Sequence, residues 1–369
     1  MEHVALILML VATSWQAIHV VLGGKVVNPN KRILTIQESI WVGSGIASLF
    51  LFINAVTWWP QFALGNGMNV GLKRITEIFV IAIFWTAFFN LFIQYANQRS
   101  KELAPVSYVA PYQGMTPFLI SFAFIVFKES LSAVAWTGIG IIAFTTYVHG
   151  RDDMPLRIPR SYQEVKQWGL PLTLAWRLPK NYRELAAPDR AKAENMRQGV
   201  RWAILAAVLG TFGLMGDGLL ARHGDAVLGL SAKWGLVTIF YAFVYPYWRR
   251  MRGIEANPTI LFEPLRRRIA GNWKTVLTYG VSLALLEVLV AIAFRVAPVA
   301  HIGSMKRFHI VLVAILAWVL LGEKKKRRIA TAIGFGVGTF LLGLDPHAQA
   351  HTLNTAEEYL LAIREFFSR

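Results

Sequence analysis

The chain has 369 residues, 55% of them hydrophobic and only 16% charged, with a mean hydropathy of +0.45. An average soluble domain carries about 25% charged residues, so this composition excludes a water-soluble globule and points to a polytopic membrane protein. The absence of cysteine excludes disulfides, iron–sulfur clusters, zinc-thiolate sites and cysteine nucleophiles, and the net charge of +17 reads as loop cations on one membrane face rather than a nucleic-acid surface.

The N-terminal stretch MEHVALILMLVATSWQAIHVV lacks the basic region and cleavage site of a secretory signal, so it is read as a first membrane span. A span needs about 20 mostly apolar residues. Ten stretches qualify: His3–Leu22, Ser39–Trp59, Ile75–Tyr95, Pro105–Phe127, Leu131–His149, Val200–Leu220, Leu228–Tyr247, Lys274–Phe294, Pro298–Leu321 and Ile329–Leu344. They form two groups of five. Residues 1–149 make the first group and 199–346 the second. Residues 150–198 are a polar linker carrying Pro155, Pro159, Pro171, Pro179 and Pro188, with a short surface helix predicted over Ala186–Arg197. Residues 347–369 close the chain. There Thr355 and Glu358 have capping-box spacing, and Tyr359, Leu360, Ile363, Phe366 and Phe367 share one face, predicting an interfacial amphipathic helix.

The halves resemble each other. Ala104-Pro105-Val106 matches Ala297-Pro298-Val299, and Phe127-Lys128-Glu129 matches Leu321-Gly322-Glu323. Each is followed by a Gly-containing span, with Gly138 and Gly140 in the fifth and Gly334 and Gly338 in the tenth. Five is odd, so a second copy enters from the opposite side. The predicted fold is therefore an all-α membrane protein of ten transmembrane helices arranged as two inverted five-helix repeats, a ground plan of secondary transporters. Cations concentrate in loops after odd-numbered spans, among them Arg99, Lys101, Arg266, Arg267, Arg268 and Lys324–Arg328. This bias puts those loops in the cytoplasm and both termini outside. The small-xxx-small spacing at Ala330, Gly334 and Gly338, like Gly210 with Gly213, predicts close helix packing within one chain.

These repeated features resemble the drug/metabolite transporter superfamily with EamA-type repeats, across nearly all of the membrane part. Pro105–Gln113 with Pro117-Phe118, and His301–Arg307, are similar to the fourth and ninth spans of sugar-phosphate translocators. The resemblance implies that Lys306 and Arg307 hold a substrate phosphate. Gln113 stands where that family has a lysine, and the spacing from His301 to Lys306 is shorter than in the family.

Read from the residues alone, an ionised group inside a span faces a cavity or a partner. Adjacent helical positions diverge by about 100°, which favours Lys306 as the cavity residue, with Arg307 beside it or paired with an acid. Glu287 in the eighth span matches Gln94 in the third by the repeat offset, as Lys306 matches Gln113. Glu287 is thus either a proton-coupling acid or the neutraliser of Lys306 and Arg307. Asn90 and Asn97 extend the polar face of Gln94, and Gln16 and His19 are further cavity candidates. Tyr108, Tyr112, His301 and His309 flank the same spans. Asp217 and Lys233 are read as reaching the membrane interface from span ends. The candidate substrate-binding set is Lys306, Arg307, Gln113, Tyr112, Gln94, Glu287, Tyr108 and His301.

No HExxH, P-loop, GxSxG elbow or nucleotide-binding Gly loop occurs. The expectation is a non-enzymatic secondary transporter in a bacterial inner membrane. It would move a small anionic or phosphorylated solute by alternating access, coupled to protons or a counter-anion, as a monomer or homodimer without cofactor or nucleic acid. A lipid-linked phosphate flippase, an exporter of amino acids or drugs, and a non-transporting membrane scaffold are the alternatives.

Overall fold

The computed structural model describes residues 4–27, 33–57, 77–110, 112, 116, 132–151, 187–244, 247, 258–296, 302–303, 305–321, 333–338 and 341. Regular structure among these is helical. The helices are α1 (Val4–Val27), α2 (Ile36–Thr57), α3 (Glu77–Leu103), the short α4 (Val106–Val109), α5 (Ala133–Arg151), α6 (Ala187–His223), α7 (Ala226–Ile239), α8 (Pro258–Val296) and α9 (His309–Leu321). Six of them, α1, α2, α3, α6, α7 and α8, are long and apolar enough to cross a membrane. Among the described residues the protein is all-helical, with the build of a membrane protein. The fourth span is described only in part and the tenth only at 333–338 and 341, while the hairpin Lys324–Arg328 and the predicted helix Thr355–Arg369 lie outside the described residues.

Local chemistry sets the helix ends. Thr35 and Glu38 form a capping box at the start of α2: the Thr35 N–H donates to Glu38 Oε2 (2.8 Å) and the Glu38 N–H to Thr35 Oγ1 (3.3 Å). Asp225 caps α7, its Oδ1 accepting from the N–H groups of Val227 and Leu228 at 3.0 Å. α8 kinks at Asn272, where φ/ψ of −131°/21° breaks the helix and the side-chain amide donates to the Arg268 carbonyl at 3.1 Å.

The predicted surface helix at Ala186–Arg197 is the start of α6 rather than a separate element. Ala193, Met196, Val200 and Ala203 are all buried and follow one another at helical spacing, so the apolar stripe runs unbroken across the predicted linker boundary. Pro188 sits in the first turn, where its missing N–H has no intrahelical partner to lose.

α3 inverts the pattern of a soluble helix. Ile78, Ile81, Phe84, Phe88 and Phe92 are exposed along one side, the side for lipid. Thr86, Asn90, Gln98 and Lys101 are buried on the other. α6 lies antiparallel against that buried side. Gly199 meets α3 near Ser100 and Ala104, Gly213 at Ile93 and Asn90, and Gly216 at Trp85 and Thr86. α2 lies antiparallel to α7, joined by reciprocal bonds: Ser48 Oγ to the Ser231 carbonyl (2.9 Å) and Ser231 Oγ to the Ser48 carbonyl (3.0 Å). α2 also runs parallel to α8, with Gly43 against Tyr279 and Gly280 against Ile46. α1 packs along α8.

The glycine spacing at 334 and 338 serves packing within the chain. Gly334 faces Thr145, and Gly338 faces Ile142 and the Gly138 carbonyl of α5. A Cβ at Gly338 would stand 2.8 Å from that carbonyl oxygen. Backbone cannot rotate aside, so Gly338→Ala is expected to lower stability by about 1–3 kcal/mol, read as an earlier unfolding midpoint in detergent.

Candidate functional site

The most concentrated charge in the described interior lies where α3, α6, α7 and α8 meet. Lys233 of α7 is wholly buried. Its Nζ donates to Glu287 Oε2 of α8 at 2.6 Å and to Asp217 Oδ1 of α6 at 3.1 Å. Thr86 of α3 donates its hydroxyl to the same Asp217 oxygen at 2.6 Å, and Asn90 Nδ2 donates to Thr86 Oγ1 at 3.2 Å. Five side chains on four helices thus form one network, with a Trp234 ring 4.7 Å from the ammonium. Such a group is tolerated at depth only when paired.

This corrects one expectation and adds a partner to another. Asp217 and Lys233 do not reach the interface: they are buried, because Glu287 and Thr86 supply the partners that make burial affordable. Glu287 takes Lys233 as its hydrogen-bonded partner, a pairing the repeat offset did not suggest. The available sequence signal was the position of Lys233 well inside an apolar run, Leu228–Tyr247, at similar depth to Glu287 in its own.

Beside the network lies a cavity of about 100 Å³. Asn90, Gln94, Asn97 and Lys101 line it from α3, at the spacing of one helical face. Gln16 and His19 contribute from α1, Gly210 and Asp217 from α6, and Glu287 from α8. Lys306 contributes from a 3₁₀ turn, Lys306–Phe308, that precedes α9. The ninth span is therefore not one uninterrupted α-helix: His309 Nδ1 binds the Lys306 carbonyl at 2.7 Å where the 3₁₀ turn gives way to α9. A carbonyl only accepts, so this nitrogen carries the proton. The same logic fixes His19, whose Nδ1 donates to the Tyr279 carbonyl at 3.0 Å while its ring stacks on that tyrosine. When His19 is neutral, its Nε2 is left as an acceptor. Among the described residues the buried Gln16 Oε1 has no hydrogen-bond partner, the kind of acceptor a bound solute or water satisfies.

Of the predicted binding set, Lys306, Glu287 and Gln94 line one cavity, and Gln16, His19, Asn90 and Asn97 join them. Tyr108 and Tyr112 do not line it. They stack edge to face at 5.9 Å and pack with Ala104, Met196, Val200 and Ile204 between α4 and α6. Their aromatic bulk joins the short fourth-span helix to α6. Gln113 and His301 lie outside the described residues, as does the Arg307 side chain. Lys101, read from sequence as a loop cation, occupies the last turns of α3 and is buried.

Around the cavity, the described ionised groups are three ammoniums, Lys101, Lys233 and Lys306, against two carboxylates, Asp217 and Glu287. The chamber is polar, and its own lining carries two of these ammoniums, Lys101 and Lys306, with the two carboxylates.

Comparison with known proteins adds a fold and no chemistry. No family model and no curated protein matches the chain. A solved structure described only as "Crystal structure of protein" shares 16% identity over 93% of this chain and 98% of its own, with a TM-score of 0.55. At that identity the likeness is one of fold alone.

Proposed function

We propose that the protein is a non-enzymatic secondary transporter that takes a small anionic, in the first instance phosphorylated, solute into this cavity and releases it on the other side by alternating access. The carrying observation is a polar cavity that holds two lysines, Lys101 and Lys306, and is bounded by helices from both halves of the chain: α1 and α3 from the first, α6, α8 and the Lys306 turn from the second. Charged chambers at such depth are characteristic of solute pathways. Lys306 is the principal ligand for the anion, Gln94 and Glu287 shape the site, and protons or a counter-anion provide the coupling.

The helix packing supports two inverted five-helix repeats. Under that symmetry the third span corresponds to the eighth and the sixth to the first. The α3–α6 pairing then has its counterpart in α8–α1, and both are extensive. The parallel α2–α8 pair likewise corresponds to α7–α3, where Tyr241 Oη reaches the Leu91 carbonyl at 2.7 Å. The antiparallel α2–α7 pair corresponds to itself, as the reciprocal Ser48 and Ser231 bonds suggest. Such an arrangement is consistent with the resemblance of the sequence to the drug/metabolite transporter superfamily, and we propose that the chain belongs there. Arg268 pairs with Glu38 at 2.7 Å, which brings the starts of α2 and α8 to one side. That agrees with cytoplasmic odd-numbered loops and outward termini in a bacterial inner membrane.

A binding screen tests the proposal. The purified protein is heated with phosphorylated metabolites, nucleotide sugars, amino acids and lipid phosphates, since a ligand of the folded state alone raises its melting temperature. An organic anion is expected to give the largest shift; stabilisation by neutral or cationic solutes only would contradict the assignment. Gly210 supplies a steric control. It lines the cavity, and a Cβ there meets nothing within 4 Å. Gly210→Leu should leave the melting temperature of the free protein unchanged while weakening binding of that anion about tenfold or more by occupying its space.

A further inference from the structure

Lys101 is the cation that the internal charge pairing leaves over. It is 8% exposed and lines the cavity. Lys233 has Asp217 and Glu287 within hydrogen-bond distance. On the same turn of α3 as Lys101, Arg99 takes Glu102 as its partner. Among the described residues no carboxylate pairs with Lys101 and no hydrogen bond holds its ammonium. The fold nevertheless makes room for it. Gly23 of α1 faces it, and a Cβ at that position would stand 3.1 Å from Lys101 Nζ. A buried ammonium without a counter-charge is strongly disfavoured, so its persistence beside a cavity calls for an anion from outside the chain.

Its position gives the cavity a direction. α3 and α6 run antiparallel, with Thr86 opposite Asp217. Lys101 is fifteen residues further along α3 than Thr86, which at 1.5 Å per residue is about 22 Å. The Asp217–Lys233–Glu287 network therefore closes one end and Lys101 stands towards the other. Lys101 and Lys306 line the same cavity. Asn97 lies one turn from Lys101 on the same face and adds an amide donor.

We infer that Lys101 is a second anion-binding residue, which with Lys306 holds a phosphate, or an equivalent oxyanion, of the solute in this cavity. This rests on the proposed anion-transport reading and assigns it a specificity residue that sequence had given to a loop. A polar chamber of this kind favours a water-soluble phosphate over a lipid headgroup.

The test is a melting experiment on the full-length detergent-purified protein, with inorganic phosphate against chloride at equal ionic strength. A parallel arm uses dihexanoyl phosphatidic acid. Wild type should be stabilised by inorganic phosphate. Lys101→Met should melt a few degrees higher than wild type without phosphate, because an uncompensated buried cation is gone, and should bind phosphate about tenfold or more weakly. Lys101→Arg should retain most of the affinity. Lys101→Gln gives the same readout as Lys101→Met should the latter fail to fold. If Lys306→Ala loses phosphate and Lys101→Met binds it as wild type does, the inference about Lys101 falls and the transport reading stands. If neither phosphate compound binds wild type, both fall. A Lys101-dependent response to the lipid alone would keep the contact and make its source a headgroup.

Discussion

Lys233→Met is expected to destabilise the protein by about 3–5 kcal/mol, the usual loss when one partner of a buried ion pair is removed. The reason is the arithmetic of the network. Lys233 is hydrogen-bonded to both Asp217 and Glu287, and all three are buried. Without it, two carboxylates are left among four packed helices without the ammonium that bonds to both, Asp217 keeping the Thr86 hydroxyl as a donor. Both must then take up protons or draw in water, and either opens the packing. A triple variant, Lys233→Met with Asp217→Asn and Glu287→Gln, removes every charge of the network and should recover much of the loss, because neutral amides of similar size avoid the unpaired-charge penalty. Reversible unfolding in mixed micelles reads both effects. A single variant as stable as wild type would show that the network does not hold these helices together.

The glycines explain why the network can be so tight. Gly213 and Gly216 let α6 approach α3 closely enough for Thr86 to reach Asp217, since a Cβ at Gly216 would stand 2.6 Å from the Trp85 ring and 3.1 Å from Thr86 Cβ. Sequence shows such glycines, but not which helix they face.

Legibility in the sequence followed the length of the signal. Long apolar runs place α1, α2, α3, α6, α7 and α8 to within a few residues at most ends, because hydrophobic length is a direct physical demand of the bilayer. The polar stripe Asn90–Gln94–Asn97 was readable from helical spacing, and it does line the cavity. What failed were inferences about the ends of runs. Lys101 and Asp217 lie near the C-termini of their helices, where a charge on a long stem ordinarily reaches water. Only the approach of other helices, α1 beside Lys101 and α7 with α8 beside Asp217, turns those positions inward. Pro188 and the polar residues around it resemble a linker, so the sequence predicts a later start for α6, whereas the buried stripe from Ala193 onward belongs to the membrane helix. The partner of Glu287 was hidden for a related reason: repeat offsets match equivalent positions in the two halves, while Lys233, Asp217 and Glu287 all come from the second half.

The second large effect concerns function rather than stability. Lys306 lines the cavity from a 3₁₀ turn, and its charge acts on Asp217 and Glu287 as well as on His19. An anion arriving at Lys306 would therefore also be felt by the Asp217–Lys233–Glu287 network, which ties α6, α7 and α8 to α3. That is a physical route by which binding could bias the packing of one half against the other. Removing Lys306 takes away an anion contact and a charge that helps balance the two acids. Lys306 is only partly buried, and Lys233 retains its two bonds in its absence, so the fold should survive.

The most direct measurement is uptake into proteoliposomes of the anion that most stabilises the purified protein, with wild type and Lys306→Ala reconstituted at equal density. The account predicts robust uptake by wild type, and loss of about a hundredfold or more for Lys306→Ala, equivalent to roughly 3 kcal/mol of lost charge-assisted contact, while its melting temperature stays close to that of wild type. Undiminished uptake by folded Lys306→Ala would contradict it.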